Sequence, residues 1–271
     1  MSLPINFHRT FIPERRLLNN LLQYAGNGLS GSYHDIADAT GIPMGKSNGK
    51  VPAIIDYARG MGLIQYDLKS KNGIRHPVLT NFGRIVLLED ALLSQPVTQW
   101  IAHLSLCHPS HGAAAWYETF VRGRDILGAS FTVTKLEDYL KNIFGPGRNR
   151  IGPLIRTYHD DVALGKIDPL KKLEKQVISG KAPIAKNYAR VYAAYILQII
   201  EDEFPGQIQV TAYDLNSVSG MFDAASWVQS DTDTILNLIE ETNSVRIDRQ
   251  MRPWIIHKLQ PSSEVWSQIY K

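Results

Sequence analysis

The 271-residue chain is long enough for about two domains with a substantial core. Its 44% hydrophobic and 20% charged content is that of a soluble globular protein, and no apolar run reaches the ~18 residues of a membrane span. Cys107 is the single cysteine, so no intrachain disulfide can form; Arg9, Glu14, Arg15 and Arg16 interrupt the early apolar patch, so no signal peptide and a cytoplasmic protein are expected.

The first predicted helix starts at Thr10 or Pro13 and runs to about Tyr24, with Leu17, Leu18, Leu21 and Leu22 on its buried face. His8, Arg9 and Arg15 precede or open it, as an arm packed on the surface or one reaching nucleic acid. Tyr33 to Gly41 reads as a short helix closed by glycine, with Ile36 and Ala37 pointing inward, and Gly41 to Gly45 as a turn. Ser47 to Met61 carries Val51, Ile54, Ile55 and Ala58 at helical spacing, and Gly62 stops it. Leu63 to Lys69 and Ile74 to Thr80 then read as strands around Lys71-Asn72-Gly73, because Asn-Gly supplies the positive φ that a tight hairpin turn needs. Helix, turn, helix, hairpin is the order of a winged helix-turn-helix, whose second helix can enter a major groove of double-stranded DNA.

Charge agrees with that order. Seven basic residues lie between Lys46 and Arg84 against Asp56 and Asp67, a local surplus of five in a chain whose net charge is +3. Lys46, Ser47, Asn48 and Lys50 would open the recognition helix, while Lys69, Lys71 and Arg75 would hold the wing against phosphate. A winged helix used only for protein contacts is the alternative.

Beyond the hairpin, Thr80 is placed to cap a helix that runs through Leu88. Val97 to Cys107 and Ala113 to Val121 form two apolar helices around His108-Pro109-Ser110-His111-Gly112, with Trp100, Trp116, Tyr117 and Phe120 as their buried surface. Thr132 to Phe144 is a further helix in which Thr134 and Glu137 match a capping box. The loop Gly145 to Arg150 holds Arg148 and Arg150 and no acid, as a DNA-backbone contact or a solvated turn. Ile151 to Val162 is predicted helical with Ile155 and Tyr158 buried, Leu170 to Ala185 is the most loop-like stretch, and Asn187 to Phe204 is the strongest helix.

The last third reads as a repeat of the opening. Val210 to Ser217, Phe222 to Trp227 and Thr232 to Thr242 supply a strand end and helices, and Val245 to Gln250 and Trp254 to Lys258 supply strands bearing Arg246, Arg249 and Lys258, with Arg252 between them. The expected fold is mainly α: a winged-helix DNA-binding domain over residues 1–92, a helical domain over 93–204 and a winged-helix-like domain over 205–271.

Chemistry is sparse. His103, Cys107, His108 and His111 have the types and spacing of zinc ligands, but a packed helix and its loop account for them better. Asp67-Leu68-Lys69 has the acid-apolar-lysine form found on strands of metal-dependent nucleases, and makes Asp67 and Lys69 the catalytic candidates; a plain wing strand is the simpler reading. Asp56 is the nearest second carboxylate, and Asp160-Asp161 beside His159 is another acidic pair. No P-loop, dinucleotide fingerprint or Gly-x-Ser-x-Gly is present.

Three segments carry a resemblance: Phe7-His8-Arg9-Thr10-Phe11-Ile12-Pro13, Leu79-Thr80-Asn81-Phe82-Gly83 and Trp116-Tyr117-Glu118-Thr119-Phe120. In this order the chain resembles a bacterial domain-of-unknown-function family whose members accompany DNA phosphorothioation genes. The resemblance is best from Phe7 to Phe120, and Arg9 stands where family members often have an acid. It implies a nickase that prepares a DNA strand for sulfur insertion in phage defence, with Mg2+ as cofactor if it cuts. It also implies partners among the phosphorothioation proteins, an ATPase and a sulfurtransferase-like protein. A non-catalytic module recruiting those enzymes to DNA and a transcriptional regulator are the alternatives.

Overall fold

A computed structural model describes residues 2–45, 49–66, 73–146, 151–173 and 176–270. The described chain is mainly α with small antiparallel sheets, and it divides into two compact units, Met1–Gly180 and Lys181–Lys271. No described helix is long and apolar enough to cross a membrane.

The first unit opens with α1 (Arg15–Gly26), which buries Leu17, Leu18, Leu21 and Leu22 almost completely; each such side chain contributes ~1.5–3 kcal/mol. The helix does not begin at Thr10, because Arg9 and Thr10 have positive φ values of 46° and 78° that no α-helix accepts. In α2 (Tyr33–Thr40) the Ser32 hydroxyl accepts the Asp35 N–H while the Asp35 carboxylate accepts the Ser32 N–H, and Gly41 closes the helix at φ 67°.

The next helix, α3 (Val51–Gly60), starts four residues later than its apolar spacing predicts. Pro52 occupies its first turn, where a missing N–H costs nothing, and Gly49 before it has φ 56°. Lys50 is therefore the cap position, outside the helix. Strands β1 (Ile64–Tyr66) and β2 (Pro77–Leu79) pair antiparallel with Ile64 opposite Leu79.

The Leu79-Thr80-Asn81-Phe82-Gly83 segment has a physical explanation. The Thr80 hydroxyl donates to the Gly62 carbonyl at 2.6 Å and accepts the Gly83 N–H at 2.9 Å, capping α4 (Asn81–Glu89). A Cβ on Gly83 would lie 1.8 Å from the Leu63 carbonyl oxygen, so only glycine fits.

Then come α5 (Pro96–Leu106), α6 (Ala114–Tyr117) running into a π-helical turn over Glu118–Arg122, and α7 (Arg124–Leu127). β3 (Ser130–Thr132) leads into α8 (Val133–Phe144) and α9 (Ile151–His159), followed by β4 (Leu170–Leu173) and β5 (Gln176–Ser179). The α8 cap is Thr132, which accepts the Lys135 N–H at 3.1 Å, rather than Thr134. The stretch predicted as loop is a hairpin in a sheet of order β3-β5-β4. Its sequence hides this because β4 is an edge strand whose Lys171 and Lys172 are both exposed.

The second unit is built on α10 (Lys186–Glu203), with β6 (Gln209–Thr211), α11 (Ala212–Ser219), α12 (Met221–Ala224), α13 (Gln229–Glu240), β7 (Val245–Asp248), β8 (Ile255–Lys258) and α14 (Ser262–Trp266). Its sheet order is β6-β8-β7. α10 packs on α11, α13 and α14, so the compact units separate the chain after Gly180 and place α10 with the C-terminal elements rather than with 93–204.

One supersecondary pattern thus occurs three times: strand, helices, hairpin, with two helices in the first two copies, three in the third, and the first strand paired to the last. In the first copy the leading strand is reduced to a Gly31–Arg75 bridge; in the others Phe131 pairs with Val177 and Val210 with Ile256. A hydroxyl at the end of each leading strand caps the next helix: Ser32, Thr132 and Thr211 accept the N–H groups of Asp35, Lys135 and Asp214. The first and third copies are visible in the sequence, and the middle one is not.

Candidate nucleic-acid interface

The second helix and hairpin are the elements that a winged-helix reading expects to meet DNA, and the three copies differ there. In the first, every residue of α3 is buried except Asp56 and Arg59. Phe7 packs edge-on against Tyr57 at 4.8 Å, the Tyr57 hydroxyl donates to the Phe11 carbonyl at 3.1 Å, and α5 packs on the same helix. The predicted recognition helix is a core element. Of the residues expected to open it, Lys46, Ser47 and Asn48 lie outside the described residues. Lys50 ion-pairs with Glu14 and sits 5.4 Å from the Phe11 ring.

Around the base of the first hairpin a cluster forms. Arg59 pairs with Asp56 at 3.1 Å and lies 4.5 Å over the Tyr66 ring, while Arg75 lies 4.9 Å over Tyr33. Desolvation raises the Asp56 pKa despite the opposing charges of Arg59, Arg9 and Arg75. Burial, with Asp56 and Tyr33 nearby, pushes Tyr66 up to about 12. Guanidinium groups beside a half-desolvated carboxylate can hold an anion next to a proton acceptor. The sequence points to Asp56 and Arg75 separately, and their convergence with Tyr33 and Tyr66 is a product of the fold. Asp67, Lys69 and Lys71 lie outside the described residues.

In the middle copy α9 turns an open face outward: Gly152, Arg156 and His159 are exposed, whereas Pro153, Leu154, Thr157 and Tyr158 are buried. His159 Nε2 lies 2.9 Å from the Leu170 carbonyl, which ties the end of α9 to the start of β4. Exposed Lys171 and Lys172 follow at once. Arg148 and Arg150 lie outside the described residues.

In the third copy α13 exposes Gln229, Ser230, Thr234 and Asn237, and arginines from the hairpin side reach across to the helix. Arg249 donates to Asn237 and to Glu240 at 2.6 Å, and Arg252 makes a two-point pair with Asp233. Both guanidiniums lie over Trp254, at 5.2 and 4.7 Å. Arg246 is exposed on β7. A cleft of about 630 Å3 opens between α11, α13 and this hairpin, walled by Trp227 and Trp254.

Net charge sorts the copies. From the sequence, residues 31–79 carry +2, residues 130–179 carry +3 and residues 209–258 carry −3; residues 1–180 together carry +6 and residues 181–271 carry −3.

The zinc-like spacing is core. His103 Nδ1 lies 2.6 Å from the Tyr158 hydroxyl, His108 and His111 stack at 4.3 Å, and burial drives the Cys107 thiol well above its usual pKa, away from the thiolate that zinc needs. Magnesium prefers an octahedral oxygen set. Among the described residues no three His, Cys, Asp or Glu side chains converge to hold a metal, and Asp56 is engaged by Arg59. No step through magnesium follows from these residues.

Comparison with solved structures shows an SspB-like fold. A magnesium ion-bound SspB crystal structure superposes with a TM-score of 0.69 at 15% identity, covering 99% of this chain and 87% of that one. A second SspB crystal structure gives a TM-score of 0.70 at the same identity and coverage. At this identity the likeness establishes the shared fold. No protein-family model matches the chain, and no curated protein does.

Proposed function

We propose that this chain is a double-stranded-DNA-binding protein of a DNA phosphorothioation-based phage-defence system. The observation that carries the reading is the SspB-like fold along 99% of the chain. The +6 charge on residues 1–180 supports it, since each neutralised phosphate releases counterions. In this reading the three repeated units are winged helices, and the ATPase and sulfurtransferase-like phosphorothioation proteins are the partners.

Nicking of one strand before sulfur insertion is the activity the reading assigns, with Asp67 and Lys69 as the residues to test. A non-catalytic module that recruits the sulfur-transfer enzymes to DNA is favoured by one observation: Asp56, the second carboxylate that the sequence offers, is already engaged by Arg59.

A supercoiled-plasmid assay with Mg2+, Mn2+ or EDTA tests both. Metal-dependent open circles that disappear in Asp67→Ala support the nickase and its acid, and open circles that persist keep the nickase and discard Asp67. Salt-sensitive binding without conversion leaves the recruiting module. Absence of binding removes the reading.

A further inference from the structure

We propose that the middle copy, through the open face of α9 and the edge strand β4, is the surface that meets the phosphate backbone of duplex DNA. The inference rests on the DNA-binding reading above and decides where on the chain the contact lies.

The argument is a comparison of three equivalent positions. A helix that approaches a duplex must present side chains, and α3 presents only Asp56 and Arg59, which are paired with each other. α13 is open, but Glu240 and Asp233 already neutralise Arg249 and Arg252, in a copy of net charge −3. A phosphate would have to displace those carboxylates. Only α9 is both open and in a basic copy.

Its geometry suits a close approach. Gly152 and Arg156 lie four residues apart and so share one face of α9. A Cβ added at Gly152 would meet no atom of the described residues within 4 Å. Arg156 is 4.0 Å from Asp160, with both side chains more than a third exposed, so the pair yields readily to a stronger partner. Lys171 and Lys172 project from opposite sides of an edge strand and pair with no described acid. A strand edge with a cation on each side can contact phosphates of both DNA strands across a groove.

The test measures binding of the full chain to a short labelled duplex over a range of salt concentrations. Removing three phosphate contacts in an Arg156→Ala, Lys171→Ala, Lys172→Ala variant should flatten the salt slope by about 2.7, roughly 0.9 per contact, and weaken binding at least about tenfold. A Lys186→Ala variant on the acidic unit should bind as wild type does. Gly152→Glu is the second probe: it touches no core atom and places an acid in the first turn of α9, so it should keep or raise the melting temperature while weakening DNA binding. If wild type binds and both middle-copy variants bind equally well, the inference fails and the DNA-binding reading stands. Unchanged binding with new self-association of the triple variant also overturns it, and assigns the lysines to guarding the β4 edge. If wild type itself does not bind duplex, the reading beneath the inference fails.

Discussion

The indole N–H of Trp116 donates to the Tyr158 hydroxyl at 2.9 Å, inside a core where both side chains are almost completely buried. His103 Nδ1 lies 2.6 Å from the same oxygen. One hydroxyl therefore ties α5, α6 and α9 together, and it fixes the inner face of the helix whose outer face carries Arg156.

Tyr158→Phe keeps the ring and removes the oxygen, leaving the Trp116 N–H and the His103 nitrogen without this partner. A buried group stripped of its partner costs about 1–3 kcal/mol. Urea denaturation should show a loss of that size, with the slope unchanged. A variant as stable as wild type would mean that the hydroxyl does not organise the core.

Gly83→Ala is expected to be more damaging than its single methyl suggests. The added Cβ would start 1.8 Å from the Leu63 carbonyl oxygen, which belongs to backbone and cannot swing away. The helix start must shift, breaking the Thr80 cap, at a cost of about 3 kcal/mol. A thermal melt lowered by less than a few degrees would contradict this.

Stability should also fall as pH drops from 6.5 toward 4. Burial lowers the His108 pKa to about 4, and the Ser110 N–H pointing at its Nδ1 at 3.2 Å requires that nitrogen unprotonated. Between the two pKa values the unfolded chain binds a proton that the folded chain refuses. Stability therefore rises with pH across this window, by up to about 3 kcal/mol for this group. His108→Gln should melt with a visibly flatter pH dependence than wild type, and equal slopes would remove the assignment.

Glu201 should make the second unit sensitive to acid in a different way. Desolvation pushes its pKa up, but hydrogen bonds from Ser262 and Lys258 outweigh that and hold it below the ordinary 4.5. A lowered carboxylate pKa contributes stability above 4.5 that is lost as pH falls through the folded value. Glu201→Gln should therefore melt earlier than wild type at neutral pH, and the gap should close under acid. A gap that is constant with pH would point to lost packing instead of lost charge.

Much of the architecture is legible in the sequence because it depends on local rules. The leucine stripe of α1, the glycine closing α2, the Thr80 cap and the length of α10 all follow from spacing and end chemistry along a single segment. Helix starts are less legible where proline or positive φ intervenes, as at Arg9, Gly49 and Pro52. The middle copy escapes notice because β4 has lost the apolar alternation of a strand: an edge strand pairs on one side only and tolerates Lys171 and Lys172 side by side.

The candidate site divides in the same way. Sequence alone determined that positive charge gathers between Lys46 and Arg84 and that helix, turn, helix and hairpin follow one another near the N-terminus. Tertiary packing decided which helix can be reached. α3 has the composition of an amphipathic helix, but Phe7 and α5 close over its remaining face, and Glu14, 36 residues away in sequence, takes up Lys50. The arginines beside α13 look free in the sequence and are spent on Asp233 and Glu240 in the fold. Burial and ion pairing are set by contacts between distant segments, and local spacing carries no information about which segments will meet.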